Sequence, residues 1–407
     1  MDTITPSFFD RPGVENSLVT AGDTAIPLGI ERVSNAALGI GGAYGSWGQV
    51  YDNAALPAFV EHRTGLPLVD SERMNLAELG FNYRHHLPDL ADADHLELEL
   101  TVGARLLTAA LQANGWQPQE VDGLLIGMSG PASTDYLPRL AERAGLRRDV
   151  LKVSLHKACD GSMGALHLAL NPRLSAPGAA NVAEQLRGKK VLVGGIEGLS
   201  RFTSRARDKN ALQLFGNGMG AIGVIPGETM QFLAGRSFEN FDEEGLLQVR
   251  MYYPHSRQAL LETTQESHDH LRVAGLMHEP ADGTPVVMAG LMGMVKLFVR
   301  SGVQVVVEVM KDYTAYLEKT GQAGRAIKVG IVHHANYKIN QLKAKQLQKE
   351  GVSFPMPWLL SEFGNVSAAS NMIAFLRQLP HISAGDHILL DGFGAGTYYD
   401  VMAVQVG

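Results

Sequence analysis

The sequence predicts an α/β fold with a duplicated core, and three observations carry that expectation. Segments with helical periodicity alternate with short apolar strands, the rhythm of a mostly parallel sheet covered by helices. Two stretches far apart, LTAALQANGWQPQEVDGLLIG and YTAYLEKTGQAGRAIKVGIVHHAN, repeat one order: helix, short polar link, buried strand. The strands end in polar, chemistry-bearing residues, the place where open α/β sheets gather their active groups. A chain of 407 residues with 45% hydrophobic content can bury a core of this size.

Composition narrows the setting. Forty-two acidic against thirty-five basic residues give a net charge of −7, which disfavours general nucleic-acid binding. The single cysteine excludes internal disulfides and suits a reducing cytoplasm. The N-terminus, MDTITPSFFDRPGVENS, is not a charged-then-apolar signal, and no apolar run of about eighteen residues follows, so a cytosolic chain without a membrane span is expected.

In chain order, residues 1 to 27 carry Pro6, Pro12 and Pro27 and read as an irregular lead-in. GIGGAYG, residues 39 to 45, lacks the G-x-G-x-x-G spacing of a phosphate cradle. Leu96 to Gly115 is an amphipathic helix with apolar residues at Leu100, Ala104, Leu107 and Leu111, followed by a buried strand from Val121 to Met128. STDYLPRLAERAGL, residues 133 to 146, opens with capping residues and reads as a second helix. VLVGGIEGLS is a buried strand and LFGNGMGAIGVIPG a glycine turn leading into another. Residues 236 to 290 alternate charges with isolated aromatics. Val286 to Thr320 is helical, GRAIKVGIVHHAN ends in a strand, and HILLDGFGAGTYYDVMAVQVG gives two apolar strands joined by a glycine turn. This partition predicts an N-terminal half over 1–230, an insertion or cap over 231–284 and a C-terminal half over 285–407.

The centre of the chain is KVSLHKACDGSMGALHLAL, residues 152 to 170. Lys152 to Leu155 reads as a strand, while Met163, Leu166, Leu168 and Leu170 with Gly161, Gly164 and Ala165 read as a tightly packed buried helix, so Cys159 opens that helix. A helix N-terminus favours thiolate over thiol, against the ordinary fate of a free cysteine as a small buried hydrophobe. The paired His333 and His334 with Asn336, and Asn365 in EFGNVSAAS, supply the distant His and Asn that a cysteine nucleophile needs. His85 and His86 have no companion cluster with metal-ligand spacing, and the spacing of His255, His268, His270 and His278 follows no zinc pattern, so no metal is expected.

Taken in order, ACxG, HHAN, GNVSAAS and GFGAG resemble the motifs of thiolase-fold condensing enzymes, specifically the β-ketoacyl-acyl carrier protein synthase III group, over roughly residues 75 to 230 and 285 to 407. The resemblance implies a thiolase-like fold with mixed five-stranded sheets in a layered αβαβα arrangement. It implies Cys159, His333 and Asn365 as catalytic residues, with His333 rather than His334 taking the histidine's place and His334 an outward-facing neighbour. Ala395, Gly394 and Phe393 fall in the turn that supplies an oxyanion-hole amide. Tyr136 and Leu137 match positions that line a neighbouring subunit's acyl pocket across a homodimer, with core packing as the other reading. Acyl-CoA or acyl carrier protein thioesters would be the substrates, with no cofactor.

The implied reaction is acyl transfer to Cys159 followed by decarboxylative Claisen condensation with a malonyl-type or β-ketoacyl thioester. Departures from the family pattern, chiefly Asp160 directly after the nucleophile and a missing grip for the adenine of coenzyme A, suggest specialised metabolism. Asn217 and Met219 also depart from the family's glycine turn. Arg201, Arg205, Arg207 and Lys209 form a basic cluster that could dock an acidic carrier protein, with an ordinary solvated surface as the other reading. Two other readings remain open on the sequence: an acyltransferase delivering to an alcohol or amine, and a non-catalytic partner subunit of a ketosynthase heterodimer.

Overall fold

The structure is a computed structural model that describes residues 6–130, 133–174, 181–206, 208–239, 262–274, 296–394 and 398–407. Two sheets carry it. The first runs β1 (Val14–Ala21), β2 (Thr24–Asn35), β3 (Ile40–Trp47), β9 (Gly218–Val224), β8 (Val191–Glu197), β6 (Gly123–Met128), β7 (Leu151–His156), β12 (His270–Ala274) and β11 (Glu262–Ser267) in spatial order. The second runs β10 (Met230–Glu239), β15 (Tyr398–Val406), β14 (His387–Gly394) and β13 (Ile327–Val332). A two-stranded ribbon joins β4 (Gln49–Asp52) to β5 (Tyr83–His86).

Two helices lie between the sheets. Gly161–Leu170, buried at every residue, packs against β6, β7 and β8 on one side and β14, β15 and β10 on the other. Ser370–Gln378 contacts β9 and β3 on one side and β13 and β14 on the other. Asp92–Asn114 and Tyr136–Arg143 cover the outside of the first sheet, and Gly302–Lys319 packs on β10 and β15 of the second. The layers are therefore αβαβα, as expected. The sheet size is not: among the described residues the sheets have nine and four strands rather than five each. The segment β3-β9-β8-β6-β7 is a five-stranded mixed core, and one antiparallel hairpin widens it at each edge.

One of those hairpins overturns the irregular lead-in. Val14–Ala21 pairs with Thr24–Asn35 throughout, Leu18 lying opposite Pro27. The pairing of β2 with β3 begins only at Leu28, so Pro27 lacks an N–H where no second neighbour requires one. The segment expected as an insertion divides. Residues 230–239 are an edge strand of the second sheet, 262–274 form the hairpin beside β7, and 240–261 and 275–284 lie outside the described residues.

From Ile40 onward GIGGAYG lies in the buried strand β3. A side chain on Gly41 or Gly42 would strike the carbonyls of Ala113 and Ala221. Asn217 serves its turn well, since its Oδ1 accepts from the Ser200 amide at 2.9 Å and its Nδ2 donates to the Trp47 carbonyl at 3.2 Å. Met219 is fully buried in β9.

The central helix that carries the cysteine is held close to the first sheet by missing side chains. A methyl group on Gly127 of β6 would overlap the Gly161 carbonyl at the start of the helix, and one on Gly195 of β8 would overlap the Ala368 carbonyl. Gly127→Ala is therefore expected to destabilise the fold by about 1–3 kcal/mol through overpacking. Urea denaturation followed by circular dichroism reads this as a lowered midpoint.

Candidate active site

The carboxyl ends of β6, β7, β8, β13 and β14 meet at one place. β7 ends at His156, and a single 3₁₀ turn, Ala158–Asp160, leads into the central helix. Ala158 sits at φ 48°, a left-handed conformation that a residue with a Cβ seldom adopts, and the half-buried Cys159 follows it at the helix entrance. The second half makes the same bend. Ser367 at φ 46° opens the turn Ser367–Ala369 before Ser370–Gln378, and the two turns pack on each other.

Contacts then join the expected residues. Ser367 Oγ donates to Cys159 Sγ at 3.3 Å, and the Ser367 amide donates to Asn365 Oδ1 at 2.9 Å. That bond fixes the Asn365 amide, whose Nδ2 points to the Ala335 carbonyl at 3.5 Å. His333 follows β13; its amide donates to the Asp391 carbonyl at 2.9 Å and its ring stands edge-on to Phe393 with centroids 5.0 Å apart. Gly394 ends β14 against the cysteine turn. A side chain there would fall 3.1 Å from the Cys159 nitrogen and 2.8 Å from that of Asp160. Ala395 lies outside the described residues.

Burial decides the charge state of the histidine. It pushes His333 down to about 3, with His334 and Lys343 adding to the effect and a hydrogen bond with Asn371 opposing it. His333 is therefore a neutral imidazole near pH 7, suited to donating a hydrogen bond and unsuited to accepting a proton. His334 is not the outward-facing neighbour expected of an alternating strand end. The chain has left β13 by that point, and the ring is buried, lies tilted against Trp358 with centroids 4.6 Å apart, and accepts from the Leu359 amide at 3.0 Å.

Two further expectations are corrected. Tyr136 and Leu137 take the core-packing role rather than reaching a neighbouring subunit: both are buried inside their own chain, and Tyr136 Oη donates to the Glu99 carbonyl at 3.3 Å. Arg201 is not part of a solvated basic patch. It pairs with the buried Glu99 at 3.1 Å, donates to the Gly130 carbonyl at 2.6 Å and lies over the Phe202 ring, while Lys209 pairs with Glu72 at 2.6 Å. Arg207 lies outside the described residues.

Asp160 is fully buried in a polar cluster with Asp400 and Lys157. Burial, then the neighbouring Asp400, pushes its carboxyl well above the usual carboxylate range, so it is a protonated donor to Asp400. A neutral Asp160 does not oppose a thiolate beside it. Burial alone would raise Asp400 too, but Lys157 Nζ at 2.6 Å and His167 Nδ1 at 2.7 Å outweigh it and hold Asp400 below the usual range. Asn171 completes the cluster by donating to His167 Nε2 at 3.0 Å. Asp400→Asn would leave the Lys157 ammonium buried without its counter-ion, and a loss of about 3–5 kcal/mol is expected in equilibrium unfolding. Because folding lowers Asp400, its contribution is complete above the unfolded carboxylate value of about 4 and fades as pH falls below it.

Two polar residues at the site, Ser129 and Ser367, carry no reading in the sequence, and Glu197 is there only a match to a polar position at the family's strand end. Ser129 directly follows β6 and Glu197 ends β8, both strand ends, and Ser367 lies within GNVSAAS. Their position was the available signal.

A family model described as 3-oxoacyl-[acyl-carrier-protein (ACP)] synthase III C terminal matches residues 317–406. A β-ketoacyl-[acyl-carrier-protein] synthase III from Prochlorococcus marinus is 28% identical over 302 residues, 73% of this chain and 78% of that protein. The protein of the same name from Gloeobacter violaceus is 27% identical over 315 residues, 75% of this chain and 83% of its own. Over most of its length the chain is similar to the β-ketoacyl synthase III condensing enzymes. Among solved structures, the Aquifex aeolicus 3-oxoacyl-[acyl-carrier-protein] synthase III superposes with a TM-score of 0.59 at 18% identity, covering 96% of this chain and all of that one. The 1,3,6,8-tetrahydroxynaphthalene synthase of Streptomyces coelicolor, a type III polyketide synthase, gives 0.63 at 13% identity over 93% of this chain and 98% of its own. At those identities the structures speak for the fold of this synthase III-like chain. No helix among its described residues is long and apolar enough to cross a membrane.

Proposed function

We propose that this synthase III-like chain loads an acyl group onto Cys159 from an acyl thioester and couples it, with loss of carbon dioxide, to a malonyl-type extender. The thiolate attacks the thioester carbonyl and the carbon–sulfur bond to the donor thiol breaks, leaving an acyl-cysteine. His333 and Asn365 each offer an N–H to the extender's carbonyl oxygen as the carboxylate departs. The enolate carbon then attacks the acyl carbonyl and Cys159 leaves as thiolate. Two neutral donors suit an enolate, since they stabilise its oxygen without surrendering a proton to its carbon. The observation that supports this reading most is the chain of contacts from Cys159 Sγ through Ser367 to Asn365, with His333 beside the Phe393–Gly394 strand end.

Acyl-CoA and acyl carrier protein are the donors and acceptors the proposal takes, with no resident cofactor. The homodimer belongs to it on the resemblance, and the cytoplasmic setting, the two-half division and a place in specialised metabolism on the sequence. Tryptic mass spectrometry after incubation with acyl thioesters of graded length tests the reading. An acyl adduct on the peptide containing Cys159 is expected. Turnover without an adduct at that residue would overturn the covalent step.

A further inference from the structure

A half-buried cysteine needs somewhere to send its proton, and the residue next to it in mechanism is a poor destination. His333, held neutral down to about pH 3 by burial, has little affinity for a proton at neutral pH. The structure offers another route. Ser367 Oγ lies 3.3 Å from Cys159 Sγ and 3.0 Å from Ser129 Oγ, and Ser129 Oγ donates to Glu197 Oε2 at 2.7 Å. The same carboxylate oxygen is fixed by the Ser129 amide at 2.9 Å and the Ala368 amide at 3.4 Å. Ser129, Ser367 and Glu197 are each at most 2% exposed, so this is a line of hydrogen bonds within the protein rather than a surface path.

We propose that Glu197 is the proton acceptor for the Cys159 thiol, reached through the hydroxyls of Ser367 and Ser129; the role rests on the reading of Cys159 as the nucleophile. The S–H bond breaks as Ser367 Oγ takes the proton, Ser367 passes its own to Ser129, and Ser129 passes its own to Glu197 Oε2. Thiol plus carboxylate become thiolate plus carboxylic acid, with no change in net charge. In the product arrangement Ser367 donates to the sulfur and Ser129 donates to Ser367. No oxidant or second reactant is needed.

The surroundings suit the exchange. Burial pushes Glu197 up to about 7, opposed by its bonds to Ser129 and by Arg201, so its proton affinity approaches that of a thiol at a helix N-terminus. Arg201 is paired with Glu99, and Tyr136 on the neighbouring helix is bonded to the Glu99 carbonyl. At the sulfur end Asp160, Lys157 and Asp400 are engaged with one another beneath the turn. Glu197 is a positioning residue for the proton; it does not touch substrate.

The test is the rate of iodoacetamide alkylation of Cys159 in the folded protein across about pH 5.5 to 9.5, read by intact mass. Wild type should show a limb near 7, where Glu197 ionises and the route opens, and a second at higher pH. Glu197→Gln keeps the shape and the bonds from the Ser129 and Ala368 amides but removes the acceptor. It should lose the lower limb and react about tenfold more slowly near pH 7 for each unit by which the thiol's apparent pKa rises. A bare field effect predicts the opposite sign, because deleting a negative charge would favour the thiolate. Alkylation as fast as wild type or faster in Glu197→Gln would therefore overturn the proposal. Ser367→Ala, which leaves Glu197 ionisable but cuts the route, should reproduce the loss, and a wild-type profile there would also overturn it. The readout uses no thioester, so it is independent of the acyl-adduct experiment. An intact adduct with a failed relay rejects only Glu197, and a missing adduct with the expected pH profile rejects only the acyl-cysteine.

Discussion

Cys159→Ala is expected to abolish the acyl adduct and reduce condensation to background while leaving decarboxylation of the extender measurable. The separation follows from where the groups sit. The sulfur is carried by the turn after β7, whereas the two donors belong to the second half, His333 after β13 and Asn365 in the loop before Ser370–Gln378. Removing the sulfur deletes the contact from Ser367 Oγ but leaves the Ser367 amide on Asn365 Oδ1, so the amide keeps its orientation. Truncating a half-buried thiol costs about 1 kcal/mol in folding, and the variant should remain folded with a near-native unfolding midpoint. Release of labelled carbon dioxide from a malonyl thioester, measured beside product formation, gives the two rates. Equal loss of both would mean that sulfur contributes to enolate formation, and product formation at the wild-type rate would remove Cys159 from the chemistry altogether.

Much of this machinery was readable from the string of residues because it is local. A short strand, a cysteine and an apolar helix in KVSLHKACDGSMGALHLAL appear as β7, the turn Ala158–Asp160 and Gly161–Leu170. The helix expected to end at Gly115 does so, with that glycine at φ 64° as its left-handed cap. What depends on distant partners was not readable. Pro27 argued against a strand, and only the register with β3 explains why the proline is harmless. His334 looked like a surface residue until Trp358 and the Leu359 amide closed over it.

Asp160 is the clearest case. By sequence it threatens the thiolate; in the fold its carboxyl faces Asp400, a residue 240 positions away in the chain, and holds a proton. The hydroxyls of Ser129 and Ser367 belong to the same class. Each is an ordinary serine in its own segment, and their relation to Cys159 exists only once β6 and the second central helix are brought together.

Asn365→Asp separates the two half-reactions from the other side. The aspartate keeps one oxygen where Oδ1 accepts the Ser367 amide, so the loop and the serine that contacts sulfur should hold their places. It loses the Nδ2 donor that the asparagine directs toward the Ala335 carbonyl, and with it the N–H offered to the extender. If ionised, it also sets a negative charge where an enolate must form. Loss of a preorganised donor of this kind typically lowers the rate about 10²–10³-fold, and the added charge works in the same direction. Acylation of Cys159 uses neither feature and should proceed at close to the wild-type rate in stopped-flow or quenched mass measurements. A carboxylate here would instead suit general-base delivery of the acyl group to an alcohol or amine. Retained acylation with decarboxylation lost is the expected result; unchanged product formation in Asn365→Asp would mean that no enolate is stabilised at this position and that the carbon–carbon step is wrongly assigned.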